Sequence, residues 1–238
     1  APPEVRDVVA KCAQTFEVGR HCVIVEQLWR DDRERLLRLA QQGSVKSQGP
    51  GKPAVSKAQA RAYGGKIAAA ALQQADAMHG GFGEQSKFPM VPQLDFLLAW
   101  QAQSPSPKLR EFLLLTLDRM AHGGLHDHLA GGFFRYTTDP GWTQPHFEKM
   151  LYDNALLARL YLRAGRVLRR DDYRAVARRT LDFMDQVLRA PDGAFIASLS
   201  AVDDQNVEGG YYLWSEQELE ALLSPDELAA ARPAFGMQ

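Results

Sequence analysis

Only two cysteines, Cys12 and Cys22, occur in 238 residues. That is too few for a disulfide scaffold, and their separation fits neither a redox CxxC pair nor a zinc knuckle. Long apolar runs are missing as well, since no stretch approaches the roughly 18 residues a membrane helix needs. The opening residues APPEVRDVVA lack the charged-then-apolar order of a secretory signal, so the expectation is a soluble, cytoplasmic chain. Charge of one sign is lacking too: 28 Lys and Arg face 29 acidic residues. No whole-chain field then favours nucleic acid or an anionic membrane, and neither is expected as a partner. Alternating β-branched patterns of any length are absent, which argues against a large sheet. The glycine pairs have no βαβ unit around them and are no dinucleotide fingerprint, so no cofactor is expected.

What is present suits a folded globular protein, with 45% apolar and 24% charged residues. Val5, Val8, Val9, Cys12 and Phe16 recur at helical spacing, and a second helix runs from Val23 through Leu36 to Ala40. The segment 43–55, GSVKSQGPGKPAV, cannot pack and reads as a linker between a helical segment, 1–42, and a larger unit, 56–238. Ser56 suits the cap of a helix reaching Met78. Further helices are predicted over Pro92–Gln103, Pro107–His122, Pro145–Leu162 and Asp171–Leu188, several opening on proline, which the first helical turn tolerates. Short β-ribbons are expected at Phe133–Thr137, Ala194–Leu199 and Gly210–Trp214.

A repeat organises these helices. Gly80-Gly81-Phe82, Gly131-Gly132-Phe133 and Asp192-Gly193-Ala194-Phe195 each fall between helices, spaced by about two helices and two loops. Each unit is then a helical hairpin that must stack on its neighbours to bury its apolar face. The predicted fold is all-α: an α/α toroid of the six-hairpin glycosidase kind, with about half of the ring in this chain.

The densest chemistry lies in 121–154, which holds His122, His126, His128 and His146 together with Asp127, Arg135, Glu148, Lys149, Tyr152 and Asp153. Such side chains are costly to bury unpaired, so a functional site is expected here. If Pro145 opens a helix, His146, Lys149 and Asp153 share one face and Glu148 and Tyr152 form a second row. His128, His146 and Glu148 are the candidate acid-base groups. Lys87, Arg135, Lys149, Tyr152, Asp153 and Asp203 are candidate contacts to a polar substrate, with Trp142 as the surface on which a sugar ring stacks. His126-Asp127-His128 with His146 offers potential ligands, but neither cysteine spacing nor an HExxH helix accompanies them, and no metal is expected. Phe133 and Tyr212 are read as loop packing.

The strings GGFGEQSKFP, GGLHDHLAGGFFRYTTDPGWTQPHFEKMLYDNA and SLSAVDDQNVEGGYYLWSEQEL, in that order, resemble the family of thioredoxin-domain-containing proteins typified by the spermatogenesis-associated, thioredoxin-like protein. The resemblance implies a thioredoxin-like domain, whose closing helix LWRDDRERLLRLAQQ is similar to, joined to an α/α barrel like that of N-acylglucosamine epimerases. The family's cysteine motif is absent here, so no redox role carries over, and Phe134 stands where the family usually has histidine.

These readings imply a carbohydrate-active domain, epimerase-like or isomerase-like, in which a histidine moves a proton. One alternative is a non-catalytic interaction or vestigial sugar-binding module working with a thioredoxin-like domain or with a second chain that completes the ring. Another is a glycoside hydrolase pairing Glu148 with Asp203.

Overall fold

A computed structural model describes residues 55–235. The helices expected before the linker lie outside the described residues. Within them the element order is α1 (Lys57–Gln73), α2 (Val91–Gln103), α3 (Pro107–His122), β1 (Tyr136–Thr137), β2 (Pro145–His146), β3 (Lys149–Met150), α4 (Leu151–Val167), α5 (Asp171–Phe183), β4 (Ser198–Leu199), α6 (Glu216–Leu222) and α7 (Pro225–Phe235). None of these helices is long and apolar enough to cross a membrane.

Helical periodicity explains the core. Leu94, Leu97 and Leu98 of α2 and Leu109, Leu113, Leu117 and Met120 of α3 recur at three- and four-residue steps and are buried. Ser106 caps α3 by accepting from the Leu109 N–H, and Pro107 follows in the first turn. On α4 the buried stripe is Asn154, Leu157, Tyr161, Ala164 and Gly165, which faces Tyr173 and Ala177 of α5. A Cβ on Gly165 would sit 2.8 Å from the Arg174 side chain and 2.9 Å from the Arg170 carbonyl, so glycine lets these two helices close. Two buried phenols tie the hairpin to α3: Tyr161 donates to the Leu117 carbonyl and Tyr173 to the Asp118 carboxylate.

Several boundaries differ from the sequence reading. Helix α1 runs through Gly64-Gly65 because Gly64 seats the Trp100 ring, 2.5 Å from where its Cβ would be. It stops at Gln73, not Met78, because Asp76 accepts from the Met78 and His79 N–H groups and folds them into a turn. The helix predicted from Pro145 begins at Leu151. Residues 145–150 are instead extended, pairing Tyr136 with His146, Thr137 with Pro145 and Lys149 with Leu199. Cross-strand bonds take the backbone groups that a helix would have used, and Pro145 sits in a short two-stranded ribbon. The helical face of His146, Lys149 and Asp153 therefore does not exist. Helix α5 gives way at Met184–Leu188 to a π-helical turn. The ribbons at β1 and β4 fall inside the predicted segments, while 209–212 forms a turn after an isolated Val202–Glu208 bridge.

Candidate functional site

The first two glycine turns share one construction, which explains two lysines. Asp76 and Asp127 each accept two N–H bonds from the residues just after them, and each carboxylate also accepts from a lysine 2.7 Å away: Lys87 and Lys149. Each ammonium then donates at 2.9 Å to a glycine carbonyl, Gly80 or Gly131. Both lysines are fully buried, and Lys149 also lies over the rings of Phe134, Phe183 and Tyr212. Burial works to raise the Asp127 carboxyl, but the Lys149 hydrogen bond and the backbone donors win and hold it below its ordinary value. Lys87 and Lys149, expected to meet substrate, are thus clasps that close the turns.

Trp142 is the third correction. Its side chain is fully buried, its indole N–H donates to the His79 carbonyl at 2.9 Å, and a Cβ on Gly81 would lie 2.6 Å from its ring. It wedges the β1–β2 tip against the first glycine turn and offers no face to a ligand. Phe133, read as packing, is buried and stacked on Tyr161.

Four of the predicted residues do come together. The Arg135 guanidinium donates to the Glu148 carboxylate at 2.8 Å, both partly exposed. Tyr152 and Asp153, in the first turn of α4, interact with the same pair. Burial pushes the Asp153 carboxyl up to about 6, although Arg135 pulls the other way. The Arg135 Nε is buried and has no hydrogen-bond partner in the protein. Beside this cluster the extended segment 145–150 alternates: His146 and Glu148 meet polar partners, while Phe147 packs on Phe134 and Tyr212. His146 is stacked on Tyr136, which is stacked on Phe88, and its Nδ1 lies 2.7 Å from a Glu208 carboxylate oxygen. Glu208 was missed by the sequence reading, because nothing local links it to a histidine 62 residues away.

His128 and Asp203 lie apart from these contacts. His128 is exposed and its Nε2 bonds the Gly123 carbonyl at 3.0 Å. Asp203 accepts from the Gln205 and Val207 N–H groups and lines a cavity of about 630 Å³ with Lys149, Ser198 and Tyr212. Glu148 is not among that cavity's lining residues. Among the described residues no group of three or more His, Cys, Asp or Glu side chains is arranged to hold a metal ion.

Comparison with solved structures defines the class of fold as the α/α toroid. A cellobiose 2-epimerase from Spirochaeta thermophila superposes with a TM-score of 0.52 at 20% identity, covering 62% of this chain and 42% of that one. A sugar epimerase from a ruminal bacterium gives 0.52 at 14% identity, over 67% and 41% of the two chains. By sequence, the chain is similar to spermatogenesis-associated protein 20 of Mus musculus, 35% identical over 167 residues, and of Homo sapiens, 36% identical. An uncharacterised protein of Caenorhabditis elegans is 34% identical over 168 residues. These matches cover 66% of this chain but only 21–23% of the relatives, so the chain spans about a fifth of their length. No family model matches the chain.

Proposed function

We propose that the loop face bearing Arg135, His146, Glu148 and Asp153 binds a reducing sugar and moves a proton at the carbon beside its carbonyl, as an epimerase or isomerase does. The observation that carries this reading is the Asp153 carboxyl held at about 6 beside Arg135, whose buried Nε–H has no acceptor in the protein. A carboxyl that titrates near neutrality can exist in both states at working pH, and an uncommitted cationic donor suits an oxygen that gains charge.

The roles follow from the hydrogen bonds. The Glu208 carboxylate only accepts, so it assigns the His146 proton to Nδ1 and leaves the Nε2 lone pair free to take a proton. Removal of the proton from carbon leaves an enediolate, whose negative oxygen Arg135 stabilises. Return of a proton from His146 or Asp153 to either face of that carbon gives substrate or its epimer. Glu148 holds Arg135 in place and offers an oxygen to a sugar hydroxyl. Sugar epimerases among the structural neighbours support the substrate class, at the level of fold.

The test is proton exchange in deuterated water, followed by NMR over a panel of reducing aldoses and their disaccharides. The chain should place deuterium beside the carbonyl of at least one sugar, and H146A should slow this by about 100-fold or more while remaining folded by circular dichroism. Exchange that is absent from the whole panel, or equally fast in H146A, overturns the reading.

A further inference from the structure

The buried His126 ring packs against Phe133 and His128, yet those contacts leave both of its nitrogens without a hydrogen bond. It is 4% exposed, and neither ring nitrogen has a hydrogen-bond partner in the protein. Two unmet polar atoms on a buried imidazole cost stability and call for a reason. Turn geometry does not supply one. The first glycine turn carries Ala75 in the equivalent place and makes the same contacts: Ala75 bridges Phe82 as His126 bridges Phe133, and Asp76 accepts the same bonds as Asp127. An alanine therefore suffices to build this turn.

What differs is the surroundings. In the first unit the corresponding hollow is lined by Gln73, Gln74 and Glu84. In the second, His126 and His128 line a cavity of about 320 Å³ with Phe134, Phe147, Tyr212 and Trp214. That volume is at the lower end for small-molecule pockets, roughly 300–1,000 Å³, which suits one ring and not a chain of them. We propose that this cavity binds a neutral pyranose ring, stacked against its aromatic walls and hydrogen-bonded to His126. A neutral imidazole presents one donor and one acceptor, the pair that sugar hydroxyls complement, and aromatic faces cover the apolar face of such a ring. Anionic sugars fit less well. No Arg or Lys lines the cavity, Lys149 is bound to Asp127, and Arg179 donates to the His128 carbonyl.

None of Arg135, His146, Glu148 and Asp153 lines this cavity, so the proposal stands apart from that reading. The experiment is an NMR titration of the ¹⁵N-labelled chain with methyl β-D-glucopyranoside and methyl β-D-galactopyranoside, which have no free carbonyl and cannot undergo the exchange reaction. Glucose 6-phosphate and p-cresol serve as the anionic and the purely aromatic probes. At least one methyl pyranoside should shift the amides of 126–130 and 211–214. H126A, whose fold the Ala75 turn already exemplifies, and W214A, which alters a half-exposed side chain, should each weaken that binding by about tenfold or more. H146A should leave it unchanged. The proposal is overturned if neither pyranoside perturbs these amides, if p-cresol or glucose 6-phosphate binds in their place, or if H126A and W214A bind as tightly as the parent.

Discussion

Two residues set opposite pH responses. Asp153 has a folded pKa of about 6 against an ordinary 3.8, so the stability it contributes is complete below about 3.8 and lost as pH rises through 6. Burial, then the charges of His128 and Arg179, lower His126 to about 4 from 6.5, with Asp127 opposing and Lys149 adding. Its contribution is complete above about 6.5 and is lost as pH falls through 4. Across pH 4 to 6 the two trends oppose each other, each on the order of 2 kcal/mol. We expect D153N to show stability that rises with pH over this window, and H126A to show stability that falls. Urea unfolding at half-unit pH steps checks both, and parallel profiles for the two variants would contradict the assignment. At this scale, little of the pattern was legible beforehand. Residue type marks His126 and Asp153 as titratable, but burial and partners decide the direction in which each moves.

Between helices, the lysine clasp is the recurring device. Replacing Lys149 by Met leaves the Asp127 carboxylate buried without its counter-charge, which should cost about 3–5 kcal/mol in urea unfolding. The double variant D127N/K149M should cost less than K149M alone, because no bare charge remains. A K149M cost below about 1 kcal/mol would mean that the clasp does not hold the turn. This element could have been read from sequence: Asp76-x-x-x-Gly-Gly-Phe and Asp127-x-x-x-Gly-Gly-Phe are each followed by a lysine. A lysine in a polar loop reads as a ligand contact only while its carboxylate partner goes unnoticed. Helices α2 and α3 were legible almost to the residue, since their leucines keep strict helical spacing. The segment after Pro145 was not, because proline is accepted both at a helix start and in a short ribbon, and only pairing with Tyr136–Thr137 and Ser198–Leu199 decides between them.

For the molecule as a whole, stacked hairpins bring residues distant in sequence onto one loop face. The toroidal class was legible from the period of the glycine turns, because a repeat of two helices and two loops has few ways to bury its apolar stripes. The make-up of the site was legible only in part. Arg135, Glu148, Tyr152 and Asp153 lie together, though not on the helical rows expected, while Lys87 and Lys149 close turns, Trp142 is buried and Glu208 reaches His146 from far along the chain. Likeness to sugar epimerases shows the architecture alone, so the case for any chemistry rests on the residues themselves.

The account depends on Arg135, Glu148 and Asp153 sharing one partly desolvated site. The most direct measurement is the ¹³C NMR titration of the Asp153 side-chain carboxyl, in the parent chain and in R135M. We predict a midpoint near 6 in the parent and a higher one in R135M, since Arg135 lowers the Asp153 pKa. A midpoint near 4 in the parent, or one unmoved by R135M, would contradict the site.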